Sequence, residues 1–295
     1  MLRKPSTFIL ICCTVIAGIW SIFRHIAQMI VRRPIVETFF LPLPKADFEF
    51  TSSNPQGNEI AAWWYQGRPG AGAVLLCHGH GSRHEKMIKI FDFLRNAGYS
   101  VFLLDFRAHG NSGGDYTSIG LHEWEDIAAV IGEAERRHIL QPETRLAAYG
   151  CSMGAAALAN GADRLPRINA FILESMYSDF RKVAVNYFNA VARIPDCFLI
   201  DLVLHMAMHE SGYSYYQSRP CESVRQIFPR PLLLIQDNQD NRVFAEDFAR
   251  ITQNASWAKI STFEQAPHVG ALRLEPARFE REFLDFIASA GISVA

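Results

Sequence analysis

Gly150-Cys151-Ser152-Met153-Gly154 sets a serine between two glycines at the junction of two dissimilar segments. Before it, Arg145-Leu-Ala-Ala-Tyr149 reads as a buried strand; after it, Ala155-Ala-Ala-Leu-Ala159 is a strong helix former. A Gly-x-Ser-x-Gly turn between strand and helix is a nucleophile elbow, which lifts a serine Oγ clear of a sheet. The glycines are required because the turn is strained and its two arms approach too closely for a Cβ. A serine hydroxyl attacks a carbonyl only when a base takes its proton, and an imidazole base needs an acid to orient it.

The base and acid of an elbow serine follow it on turns after later strands. His268 lies just past the apolar run Ile260 to Phe263, in a loop shaped by Pro267 and Gly270. After Pro231-Leu-Leu-Leu-Ile235 come two acids, Asp237 and Asp240. Asp240 fits better, because the extra residues let the turn curl back toward the histidine; Asp237 stays the alternative. An attacked acyl carbonyl becomes an oxyanion, and two backbone N–H donors must already face it. Met153 after the serine supplies one, and His80, in His78-Gly79-His80-Gly81 after the strand ending at Cys77, supplies the other.

These groups need a sheet to hold them. Phe48 to Phe50, Ile60 to Tyr65, Ala73 to Cys77, Ser100 to Asp105, Ala170 to Glu174, Pro231 to Ile235 and Ile260 to Phe263 read as strands. His84 to Asn96, Leu121 to His138 and Pro276 to about Ala288 have helical apolar spacing. Apolar strands without internal alternation, separated by helices, predict an α/β fold with a mostly parallel central sheet covered on both faces. Residues 178–228 break that rhythm and read as a helical cap inserted over the strand ends, where ligands bind in such sheets.

The 295 residues are 49% hydrophobic with net charge −1, which leaves no electrostatic footprint for nucleic acid. Thr7 to Phe23 carries no charge and is flanked by Arg3, Lys4, Arg24, Arg32 and Arg33. At the lower edge of a bilayer-spanning length, extendable through Ile26 to Val31, it predicts residues 1–33 to be an uncleaved single-pass membrane anchor. The basic residues on both sides leave the orientation nearly balanced, with the arginines favouring a cytoplasmic body. Residues 34–47 read as a linker and 48–295 as the catalytic domain, so a chain beginning near Val36 is expected to be soluble and active. Cys197 and Cys221 are the one pair that could bridge; free or buried thiols fit the six cysteines better.

The chain resembles the α/β-hydrolase superfamily, and within it bacterial membrane-anchored or cytoplasmic serine hydrolases of the esterase kind. The resemblance runs over roughly residues 60–288, on HGHGSR (78–83), LDFRAHGNSGG (104–114), TSIGLHEWEDI (117–127), GCSMGA (150–155), ILESMYSD (172–179), Asp240 and His268. It implies the α/β-hydrolase fold and a Ser152–His268–Asp240 triad. One departure is Gln236-Asp237, where such chains usually have His-Gly after the acid-bearing strand.

The reading that follows is a carboxylesterase or lipase-like enzyme without cofactor or metal, acting on a small or lipidic acyl substrate. A peptidase or thioesterase is the alternative on the same fold, and a non-catalytic binding protein the rival from another class. Of His78, His80 and His84, two sit in a turn that the fold explains, so a metal reading of the three is not favoured. His205 and His209, one helical turn apart, have zinc-like spacing but no evident third ligand. Arg107 and His109 read as structural, and Cys151 as a small buried residue. Tyr177, Tyr187, Phe188, Tyr213, Tyr215 and Tyr216 either line an acyl pocket or pack within the cap.

Overall fold

The computed structural model describes residues 7–33 and 42–294, with the side chains of residues 7–13 and 16 outside the description. Arg3, Lys4 and most of the expected linker therefore lie outside the described residues. The strands are β1 (Phe48–Ser53), β2 (Glu59–Tyr65), β3 (Ala73–Cys77), β4 (Ser100–Leu104), β5 (Leu146–Cys151), β6 (Ile168–Glu174), β7 (Leu232–Asp237) and β8 (Lys259–Phe263). They form one eight-stranded sheet in the order β1-β2-β4-β3-β5-β6-β7-β8. β1, β2 and β4 pair antiparallel, and every pairing from β4 to β8 is parallel.

The helices are α1 (Thr7–Val31), α2 (Ile88–Ala97), α3 (Trp124–Arg136), α4 (Met153–Asn160), α5 (Phe180–Ala192), α6 (Phe198–Ser211), α7 (Pro220–Ser223), α8 (Ala245–Asn254), α9 (Ala271–Leu274) and α10 (Pro276–Ser289). Alternate residues of the central strands feed two separate cores. Leu75, Phe102 and Ala148 join one with α3 and α4. Val74, Leu76, Leu103 and Tyr149 join the other with α2 and α10. Because both faces are covered, the strands read as unbroken apolar runs.

Residues 178–228, the segment expected to form a cap, contain helices and no strand. Asp179 caps α5 by accepting the Lys182 N–H at 2.9 Å, and Phe180 stacks on Tyr215 with ring centroids 4.9 Å apart. Most of the cap aromatics are engaged in packing. The Tyr177 hydroxyl donates to the Ile119 carbonyl and the Tyr215 hydroxyl to that of Thr117. Tyr187 stands exposed, with the Arg242 guanidinium over its ring.

The N-terminal helix departs from expectation. Ile26 to Val31, read as an extension of a membrane span, instead dock on the protein. Ala27 and Val31 are fully buried, and Arg24 and Gln28 both reach Glu210 on α6. An apolar stripe finds a cap helix here rather than lipid. Val15, Ile19, Trp20 and Ile22, nearer the N-terminus, are exposed. Among the described residues no helix is long and apolar enough to cross a membrane.

Candidate active site

Ser152 sits between β5 and α4 with φ +50° and ψ −113°. Crowding explains the flanking glycines. A Cβ on Gly150 would lie 2.6 Å from the backbone of Gly154, and one on Gly154 would lie 2.3 Å from the Cys77 carbonyl. The Ser152 N–H donates to the Glu174 carbonyl at 2.9 Å, which fixes the strained residue from the β6 side. Cys151 is buried, and burial pushes its thiol up to about 12, so at neutral pH it is an inert thiol behind the serine.

The loops after β7 and β8 bring two more groups to the serine. His268 Nε2 lies 3.0 Å from Ser152 Oγ, and His268 Nδ1 lies 2.6 Å from Asp240 Oδ2. Asp240 is buried, and its other oxygen accepts the N–H groups of Arg242 at 2.8 Å and Val243 at 3.0 Å. The carboxylate is thereby fixed to receive Nδ1–H, which leaves Nε2 free to accept the serine proton. Asp237 is directed elsewhere. It accepts the Ser175 hydroxyl at 2.6 Å, so of the two acids Asp240 is the one the structure brings to the imidazole.

Asp237 belongs to a second network under this one. Glu174 is fully buried beside it, and the Tyr149 hydroxyl donates to Glu174 Oε2. The remaining oxygens, Glu174 Oε1 and Asp237 Oδ1, are buried without a hydrogen-bond partner among the described residues. Burial and the Asp237 charge push the Glu174 carboxyl up to about 8, and burial also raises Asp237. Two acids buried side by side cannot both carry a charge cheaply, which favours a neutral Glu174 beside Asp237. Ser175, which donates to Asp237, accepts the Val269 N–H at 3.1 Å, so the network ends one residue from His268.

On the opposite side of Ser152 lies the loop after β3. A Cβ on Gly79 would sit 3.6 Å from Ser152 Cβ, so the loop backbone rests on the elbow. Among the described residues neither the His80 N–H nor the Met153 N–H has an acceptor. The loop is held by imidazoles. His78 Nδ1 donates to the Gly79 carbonyl at 2.8 Å, while its Nε2 accepts the Phe106 N–H at 3.0 Å. His109 Nδ1 donates to the Arg107 carbonyl at 2.8 Å, while its Nε2 accepts the Gly81 N–H at 3.1 Å. Both rings are therefore neutral, and burial lowers both pKa values, that of His109 strongly. The His80 ring Nε2 donates to the Ile30 carbonyl of α1 at 2.9 Å.

The remaining sequence blocks build the scaffold. Arg107 is buried on Asp126, with Nη2 to Oδ1 at 2.7 Å. Glu123 gathers Thr117, Ser118 and Gly120, and Asp105 accepts the N–H groups of His84 and Asn111. His205 is exposed, its ring bonded to the Asp201 carbonyl within its own helix. Among the described residues no three His, Cys, Asp or Glu side chains are grouped to hold a metal, and Cys197 and Cys221 are free thiols. Residue type alone did not give the Glu174–Asp237 pair, the clamps of His78 and His109, or the Ile30 carbonyl. The first two lie in sequence blocks already singled out above.

The family described as serine aminopeptidase, S33 (Hydrolase_4) matches residues 68–248. YqkD of Bacillus subtilis (strain 168), an uncharacterized protein, is 24% identical over 200 residues, covering 66% of this chain and only 63% of its own length. YfhR of Escherichia coli (strain K12), also uncharacterized, is 23% identical over 259 residues, covering 84% of this chain and 82% of its own. Among solved structures, the Pyrococcus furiosus esterase Pf2001 superposes with a TM-score of 0.68 at 22% identity, covering 86% of this chain and 98% of its own. At that identity the likeness speaks for the fold.

Proposed function

This chain belongs to the α/β-hydrolase superfamily, in the family described as serine aminopeptidase, S33, and we propose that it is a serine hydrolase of carboxylic esters. The observation that carries the reading is the bridge made by His268, 3.0 Å from Ser152 Oγ and 2.6 Å from Asp240 Oδ2. Ser152 Oγ attacks the ester carbonyl while His268 Nε2 takes its proton, and Asp240 stabilises the imidazolium. The carbonyl oxygen becomes an oxyanion received by the N–H groups of His80 and Met153. Collapse expels the alcohol, protonated by His268. Water activated by the same imidazole then frees the acid from the acyl-serine.

The family description favours a second reading, an aminopeptidase, which would need a free carboxylate near the cap to receive a substrate ammonium. The cap's five acids are all paired with arginines: Asp179 with Arg250, Asp196 and Asp201 with Arg181, Glu210 with Arg24, and Glu222 with Arg219. That pairing supports the ester reading. Attachment of the N-terminus to a membrane is part of the proposal, on the exposed Val15, Ile19, Trp20 and Ile22. It favours an apolar or lipidic acyl group.

The test is a panel of p-nitrophenyl esters, acyl thioesters and aminoacyl amides on the full chain, alongside a fluorophosphonate probe. Probe labelling at Ser152 with turnover of esters is expected. Amide turnover above ester turnover would move the assignment to the peptidase, and a chain that neither labels nor turns over any of them would remove the hydrolase reading. Retention of the full chain on membranes through high-salt and carbonate washes checks the attachment.

A further inference from the structure

We propose that the last turns of α1 are a positioning element of the oxyanion loop: the Ile30 carbonyl, by holding the His80 ring, sets the backbone that presents the His80 N–H to the reacting carbonyl. The proposal rests on the reading of the site given above. Its geometric core is the 2.9 Å bond from His80 Nε2 to Ile30 O. A helix leaves its last four carbonyls without partners inside the helix, so the bond serves both sides. His78 holds the carbonyl of Gly79 and His109 holds the N–H of Gly81. The residue between them, which carries the donor, is tied through its ring to α1.

The helix end is itself firmly placed. The Val31 carbonyl accepts the Thr117 N–H at 2.9 Å, the Arg33 N–H donates to Asp115 O at 2.9 Å, and Arg33 Nη2 donates to Gly110 O at 2.6 Å. Ala27 and Val31 are fully buried, and Gln28 joins Arg24 on Glu210 of the cap, at 3.0 Å from Glu210 Oε2. One helix thus ties the cap to the loop after β3. The expectation that a chain beginning near Val36 keeps its activity is replaced by the opposite one. Removing α1 frees the His80 ring, and small displacements of catalytic groups cost rate out of proportion to their size.

The experiment is steady-state ester kinetics on the full chain and on single variants. His80→Ala keeps the N–H and loses the ring. It is expected to lower kcat about tenfold or more, a fraction of the roughly 10²–10³ lost when an oxyanion donor is removed, with KM nearly unchanged. His80→Gln, whose amide nitrogen is the same number of bonds from Cα as Nε2, is expected to recover most of the loss. Deleting residues 1–33 is expected to reproduce the loss of kcat, and adding His80→Ala to the shortened chain to cost nothing more. If the shortened chain does not fold, Ala27→Asp, which puts a charge on the buried seat of α1, replaces it in the same comparison. Wild-type kcat in His80→Ala, failure of His80→Gln to recover it, or losses that multiply in the double variant would overturn the proposal. A wild-type chain that fluorophosphonate leaves unlabelled at Ser152 would overturn the site reading beneath it, which the variants do not address.

Discussion

Ser152 stands between two flanks built on different plans. On the β7–β8 side the groups proposed to work are side chains, Asp240 and His268, each on the loop that follows a parallel strand, 28 residues apart. On the β3–β4 side the group proposed to work is a backbone N–H. The loop that carries it is held by imidazoles at His78 and His109 and, through the His80 ring, by a helix carbonyl 50 residues upstream of His80. Side-chain chemistry is carried by residue identity. Backbone chemistry is carried by whatever fixes the chain, which can lie anywhere in the sequence.

The largest expected effect removes the group both flanks serve. Ser152→Ala is expected to lower kcat by about 10⁶, as for a serine nucleophile lost from an intact triad, and to abolish fluorophosphonate labelling with the fold retained by circular dichroism. Labelling of the variant at another residue would show that the flanks converge on a different nucleophile.

Next in size is the acid of the β7–β8 flank. Asp240→Asn is expected to lower kcat by about 10⁴, since the imidazole loses the partner that selects its tautomer. Asp237→Asn is expected to cost far less, because Asp237 contacts Ser175 and not His268. The reverse ranking in steady-state kinetics would mean that the departure at Gln236-Asp237 has moved the acid forward.

Smaller again is a pH effect on the β3–β4 flank. His78 and His109 each accept a backbone N–H, so protonation would set donor against donor. Their folded pKa values are depressed by burial, so the stability they contribute is present above the ordinary histidine value of about 6.5 and is lost as pH falls through the folded values. The thermal midpoint is therefore expected to drop on acidification from about pH 6.5. His109→Gln, whose amide oxygen accepts the Gly81 N–H without titrating, is expected to flatten that drop. An unchanged slope would take His109 out of the acid response.

The sheet was legible because its strands are buried on both faces: runs such as Ala73-Val-Leu-Leu-Cys77 announce themselves without alternation. The elbow, the histidine and both candidate acids were legible because each sits on a turn after such a run. α8 is poorly marked in the sequence, since its core anchors, Phe248 and Ile251, are few and follow the acid loop directly. The docking of α1 was hidden for a different reason. Phe23, Ile26, Ala27, Ile30 and Val31 make the same apolar stripe whether lipid or a cap helix covers it. Nor does a glutamate in ILESMYSD reveal that it is buried beside a second acid, because burial of Glu174 is decided by strands brought together from elsewhere in the chain.

The smallest effect on rate, and the finest test of the comparison, concerns that buried acid. Glu174 and Asp237 lie buried below the β7–β8 flank and are expected to share one proton, and through Ser175 Asp237 braces the residue after His268. Glu174 is pushed up to about 8 by burial and by Asp237, so the folded chain keeps a proton that the unfolded chain gives up near the ordinary glutamate value. Its contribution to stability is full below that ordinary value and is lost progressively as pH rises toward about 8, with no further loss above. Glu174→Gln replaces the neutral acid with an amide that can donate to Asp237 and accept from Tyr149 at every pH. At neutral pH the variant is expected to keep kcat within about a few-fold, because a pH-independent donor still holds Asp237 in place. Its denaturation midpoint, measured against wild type from pH 5.5 to 9, is expected to gain on wild type as pH rises and to level off past about 8. A constant difference across that range would mean that no proton is shared, and the β7–β8 flank would then rest on Asp237 and Ser175 alone.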